Sequence, residues 1–383
     1  MRTSPVCALP TGFGALLPIP NTVQKSQVKP IALVCTHRLL HAHRANFEML
    51  QNKLAISSVS LGQHAAHILP LKITSAAAAG IKGIEIAFAD LDGYAESSLI
   101  PILEAATRIR QLCADKHLEI IAFAPFENFE GHQTPLQDRL QKAEKWLAIA
   151  NELKALHFQL PSNYDRRANG DRQVIVSEFK QLCDLAKTIS PTIKIAYENL
   201  GWGTHCSLWQ EALQIVEDVD RDNFGLCLDS FHICVLLWAD PFSETGKRPN
   251  GDGQLKESLH ELVSRLPLEK LFYLQLSDGE HLDPPYSQKH PWYDAALEPA
   301  HVWSNEARPF PLETEYGGYM PVQEVAHAFL VELGYAGWVS METFDRRMRA
   351  EQQGPRESAR RAVGSWDVLR ARLEETKVLP GRL

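Results

Sequence analysis

An α/β fold of the (β/α)₈ TIM barrel type, xylose isomerase-like, is the class that the sequence predicts, on three observations. From Lys53 onward, short apolar runs alternate with longer stretches of helical periodicity, the pattern of βαβ units around a parallel sheet. The apolar runs number eight, the count that closes such a barrel. Two long interruptions, 239–253 and 277–320, follow the sixth and seventh runs. Long loops after strands six and seven would lie over the C-terminal face, where barrels assemble their sites.

In chain order the expected strands are KLAISS (Lys53–Ser58), GIEIAF (Gly83–Phe88), LEIIAFA (Leu118–Ala124), ALHFQL (Ala155–Leu160), KIAYEN (Lys194–Asn199), FGLCLD (Phe224–Asp229), LFYLQL (Leu271–Leu276) and WVSMET (Trp338–Thr343). Between them, SSLIPILEAATRIRQLCADK and QDRLQKAEKWLAIANEL repeat apolar residues at three and four, as helices with one buried face do. AVGSWDVLRARLEE reads as the closing helix.

The 383 residues suit one large domain, and 45% hydrophobic with 22% charged residues is ordinary for a globular enzyme. A net charge of −8 argues against a nucleic-acid binder, which needs a basic face to displace counterions. No run approaches the roughly 20 apolar residues of a membrane span. A small-molecule substrate is the expected partner. Seven cysteines without a CxxC pair read as reduced residues in a cytoplasmic protein. Residues 1–47 contain no Asp or Glu and carry Arg2, Lys25, Lys29, Arg38 and Arg44. Residues 1–48 are therefore expected as a disordered extension, with mitochondrial targeting as the second reading, and residues 49–383 as the barrel.

Chemistry should come from polar side chains at the ends of several strands. Glu198, Asp229, Gln275 and Glu342 end the last four strands. Three carboxylates converging in one mouth repel one another unless their proton affinities rise or a cation sits between them. An all-oxygen set suits a hard divalent ion, Mg²⁺ or Mn²⁺, with Co²⁺ as a further option, over zinc. His232, three residues past Asp229, is the expected general acid or base. Glu85, inward on the second strand, is a second catalytic candidate, and Gln159, ending the fourth, a substrate contact. The 345–361 run DRRMRAEQQGPRESARR reads as a solvated loop and helix face.

With these residues in view, the chain from about Met49 to Trp366 resembles the sugar phosphate isomerase/epimerase superfamily of xylose isomerase-like barrels. The segments that carry the likeness are KLAISSVSLG, APFENFEG, QLPSN, AYENL, NFGLCLDSFH, FYLQLSDGE, WSNEARPF and YMPVQEVAHAFLVELGYAGWVSMETFDRRM. Within it the chain looks most like the fungal 3-dehydroshikimate dehydratases. The resemblance implies metal ligands at Glu198, Asp229, Gln275 and Glu342 and a catalytic histidine at His232. It also implies substrate binding by Ser304 and Arg308. Arg308 is expected on the substrate carboxylate, and Phe126 and Phe129 either wall the ring or pack in the aromatic core. Ketose epimerases of similar fold usually carry His at the third ligand position, so Gln275 favours the dehydratase. A metal-dependent isomerase or epimerase of sugars or keto sugars, with Glu198 and Glu342 shuttling a proton, is the alternative. A barrel that keeps the metal without catalysis is a third reading.

Overall fold

Apolar strands buried on both faces are what a parallel barrel wrapped in helices requires. In the computed structural model, which describes residues 50–189 and 193–378, the expected runs take that form. The barrel strands are β1 (Lys53–Ser57), β2 (Gly83–Ala87), β3 (Glu119–Ala124), β4 (His157–Pro161), β5 (Lys194–Glu198), β6 (Phe224–Asp229) and β7 (Leu271–Leu276). Two short strands, β8 (Ala307–Arg308) and β10 (Phe344–Asp345), pair antiparallel outside the barrel. Between them in sequence, β9 (Trp338–Met341) is the eighth barrel strand and closes against β1, all pairings being parallel. Residues 1–48, expected as an extension, lie outside the described residues.

The ends of several elements differ from expectation. β1, β2 and β5 stop one residue early, β4 runs from His157 to Pro161, and β9 ends at Met341, leaving Glu342 just past the strand. The helix expected over 97–116 is two: Phe88–Ser98 and Ile102–Asp115. Pro101 explains the break, since it has no N–H to continue the ladder and forces the residue before it out of helical conformation. Leu99, at positive φ, caps the first helix and is 92% exposed.

A cluster inside the barrel sets small residues, Ala55, Ala122, Ala196 and Cys227, against the larger Ile121, Phe272 and Tyr273. Ala196, Cys227 and Tyr273 each stand two residues before Glu198, Asp229 and Gln275, and period-two alternation aims each pair at the same side of the sheet. The larger apolar residues fill the layer between strands and helices.

The long excursion after β7 is held at its root by Asp278. Its carboxylate accepts the backbone N–H groups of Gly279 (2.8 Å), Leu312 (3.1 Å), Tyr319 (2.9 Å) and Met320 (2.8 Å). Burial pushes its pKa up to about 6 against these bonds. The 345–361 run is not the solvated face that its charge suggests. Arg346 and Arg347 pair with Glu280, while buried Arg361 reaches Glu313 (2.7 Å) and Asp345 (3.0 Å). Charge density alone hid this, because Arg346, Arg347 and Arg361 find acids far away in sequence, while Arg356 and Arg360 do face solvent.

Glu130 joins the turns after β3 and β4 to β5: its Oε1 accepts from the Asn163 N–H (2.7 Å) and the Tyr197 hydroxyl (2.8 Å). Among the described residues Oε2 has no partner, and burial raises the pKa from 4.5 to about 7. The folded state therefore keeps a proton that the unfolded chain releases. Stability should fall as pH rises from 4.5 to 7, and not further above it. Glu130→Gln should remove this loss. Urea unfolding at pH 5 and 7.5 is expected to show the variant gaining on the wild type by on the order of 3 kcal/mol between the two.

Candidate active site

β6 ends in a residue with two tasks. Asp229 is the last residue of the strand and the N-cap of the next helix, Ser230–Leu237, its Oδ1 accepting from the Phe231 N–H at 2.8 Å. Capping satisfies a donor that the helix start leaves open. It also explains the spacing of Asp229 and His232: the cap fixes the first turn, and the third helical residue swings back over it. His232 Nε2 lies 3.8 Å from Asp229 Oδ2 and 3.3 Å from Glu198 Oε1. Its Nδ1 accepts the Gly201 N–H at 3.0 Å, so the neutral ring carries its proton on Nε2, facing the carboxylates. Burial lowers the His232 pKa to about 4, although Asp229 pulls the other way.

The neighbouring strands complete the group. Glu198 Oε2 accepts from Gln159 Nε2, whereas Oε1 is buried and accepts no hydrogen bond from the described residues. Gln275 Nε2 donates to Glu342 Oε1 (3.0 Å) and Glu85 Oε2 (3.0 Å), and its Oε1 faces Cys227 Sγ (3.1 Å). Glu85 also accepts from the Tyr273 hydroxyl (2.9 Å) and from Ser340. Burial raises the pKa of Glu85, Glu198 and Glu342. Asp229 adds to the rise at Glu198, and Glu198 to that at Glu342, with Arg308 opposing both.

Arg308 arrives on β8 and is 1% exposed. Every guanidinium nitrogen is engaged. Nε donates to Ser277 Oγ (3.0 Å) and Nη1 to Ser304 Oγ (3.2 Å); Nη2 reaches Asp229 Oδ2, Ser277 Oγ (2.8 Å) and the Glu342 carbonyl (3.0 Å). The plane also lies over the Phe231 ring, 4.6 Å from its centroid. Among the described residues, four carboxylates (Glu85, Glu198, Asp229 and Glu342) thus crowd one guanidinium. Raised proton affinity and a bound cation are the two ways to relieve such a surplus. The group fits a divalent ion: Glu198, Asp229 and His232 each offer an atom within 4.8 Å of the others, and Glu198 Oε1 is an unused buried acceptor.

The expected site residues therefore converge with three differences. Gln275 turns its amide nitrogen, not its oxygen, to the carboxylates. Arg308 is in the site, but its charge serves Asp229, and one Nη1 N–H remains beyond its bonds to Ser277, Ser304, Asp229 and the Glu342 carbonyl. Phe126 is not in the mouth: its ring packs against Trp146, Phe129 and Phe158 (5.2, 6.0 and 5.2 Å between centroids). Phe129 packs beside it and against Phe179. Aromatic packing against the helix Leu136–Leu153 claims both rings. Tyr273, Ser277 and Ser340 were missed, although each stands two residues from Gln275 or Glu342, in phase with it. Trp202 was also missed. It lies between two glycines after β5, meets the His232 ring edge-on at 4.9 Å and stacks on His301 at 4.6 Å.

Residues 73–367 match the xylose isomerase-like TIM barrel family. The chain is 38% identical over 337 residues to 3-dehydroshikimate dehydratase of Neurospora crassa, covering 84% of this chain and 94% of that protein. It is 30% identical over 336 residues to 3-dehydroshikimate dehydratase of Pseudomonas putida, covering 86% of this chain but 44% of that longer protein. Among solved structures, a fusion of a xylose isomerase-like TIM barrel with 4-hydroxyphenylpyruvate dioxygenase is similar with a TM-score of 0.65 and 29% identity, over 85% of this chain and 44% of that one. The IOLI protein, solved with a zinc atom, has a TM-score of 0.62 over 84% of this chain and 99% of its own; at 19% identity it speaks to the fold alone.

Removing the guanidinium tests the charge balance. Arg308→Met should lower stability by about 3–5 kcal/mol, because Asp229 is left buried and uncompensated. Urea denaturation with a chelator present measures it, and adding Mg²⁺ or Mn²⁺ should recover part of the loss.

Proposed function

The chain belongs to the xylose isomerase-like TIM barrel family, and from that premise we propose that it is a 3-dehydroshikimate dehydratase, a hydro-lyase that converts 3-dehydroshikimate to protocatechuate and water. The observation that carries this reading is the 38% identity to the Neurospora crassa dehydratase across 94% of that protein. The site is suited to the chemistry. The substrate is a cyclic enone acid; it loses a proton from the carbon beside its carbonyl and a hydroxide from the next carbon, and loss of a second ring proton with protonation of the former carbonyl oxygen makes the ring aromatic.

Glu198, Asp229 and Glu342 would hold a divalent ion, Mg²⁺ or Mn²⁺ for this oxygen-rich set with Co²⁺ as a third option, and Gln275 would join them once its amide turned over. Such an ion supplies Lewis-acid stabilisation of negative charge developing on the substrate oxygen. The chain's own groups move the protons. His232 Nδ1 is occupied by the Gly201 N–H, so the ring enters with its proton on Nε2, gives it to the departing hydroxide and recovers one from the ring carbon in the aromatising step. Glu342, whose side chain keeps 15% exposure, takes the proton from carbon and passes it to the former carbonyl oxygen. Glu85 lies below, bonding Gln275 from the strand side, and acts by holding that amide. The alternative, an isomerase or epimerase of sugars or keto sugars, has fold likeness behind it and no observation of this site in its favour.

Purified protein incubated with 3-dehydroshikimate and Mg²⁺ or Mn²⁺ should form an aromatic product visible by ultraviolet absorbance, with activity lost to a chelator and restored by either ion. Epimerisation of a ketose without aromatic product would reverse the choice. Glu342→Gln should lower kcat by about 10²- to 10⁴-fold; unchanged turnover and metal content would remove Glu342 from both roles.

A further inference from the structure

A substrate with a carboxylate needs a cation, and all but one Nη1 N–H of Arg308 are already engaged by Asp229, Ser277, Ser304 and the Glu342 carbonyl. A second guanidinium is better placed. Arg248 forms no ion pair among the described residues. Nη2 donates to the Val235 carbonyl at 3.0 Å, while the buried Nε has no acceptor. Val235 lies one turn beyond His232 on the same helix, so this bond ties Arg248 to the element that carries the proposed acid. The buried indole N–H of Trp202 likewise has no acceptor among the described residues.

Both residues line one cavity of about 550 Å³, whose wall includes Gly201, the residue that fixes His232 Nδ1. Pockets of this size hold small organic ligands. Two carboxylates also line it, and each is engaged: Glu298 pairs with Arg166 at 2.5 Å, and Asp240 Oδ1 accepts the Phe242 N–H at 2.9 Å. The stack on His301, with ring planes 3° apart, holds the indole in one orientation.

We propose that Arg248 and the Trp202 indole N–H bind the substrate carboxylate in this cavity, while Arg308 serves the charge balance of the site. The assignment rests on the dehydratase reading for the identity of the substrate, but the carboxylate subsite can be read without turnover. Protocatechuate and catechol differ only in the carboxylate, so the ratio of their dissociation constants, by calorimetry on the metal-loaded protein, isolates its recognition. The wild type should bind protocatechuate more tightly. Arg248→Met should weaken protocatechuate binding by about 10- to 100-fold, the scale of a lost charge-assisted hydrogen bond, and leave catechol binding unchanged, which also shows that the variant is folded. Trp202→Phe should weaken protocatechuate alone, by several-fold. A wild type without preference, or a preference that survives Arg248→Met, overturns the assignment. Failure of the wild type to convert 3-dehydroshikimate, with the affinity pattern intact, overturns the dehydratase reading and keeps the subsite.

Discussion

The ion pair between Arg308 and Asp229 is the constraint on which the rest of the site depends. Burying a carboxylate costs several kcal/mol unless a counter-charge and hydrogen bonds replace its water. Asp229 receives both, a guanidinium on Oδ2 and a helix N–H on Oδ1. Glu198 and Glu342 receive less. Burial and mutual repulsion raise their proton affinity, and they stay within reach of protons or a metal. One carboxylate takes the counter-charge, and its neighbours share what remains.

Delivering Arg308 to that point takes an unusual amount of structure. The two-residue strands β8 and β10 pair Arg308 with Phe344. This brings the excursion after β7 against the segment that follows β9. Asp278 and Arg361 fasten the two sides through buried polar contacts. Ser277 and Ser304 hold the guanidinium from below and beside it.

Much of this was legible in the sequence, and the limits have physical causes. FGLCLD and LFYLQL matched β6 and β7 at both ends, since an apolar run closed by a polar residue is the mark of a strand meeting a site. Glu198, Asp229, Gln275 and Glu342 were found by position at strand ends. The role of Arg308 could not be read, because it depends on a short antiparallel pairing between distant segments. The direction of Phe126 is set by Trp146 on another element. The amide orientation of Gln275 is set by Glu85 and Cys227, which lie on other strands.

Asp278 has a wider meaning for how such a protein can change. One carboxylate gathers backbone groups from both ends of a long excursion, so the two roots are tied to each other independently of what lies between them. The tip over 283–297 contains many exposed residues, and its sequence is under little obligation to the charges beneath. Lengthening, shortening or recoding that tip is a route by which the entrance can be reshaped for a different ring while the electrostatic floor stays intact.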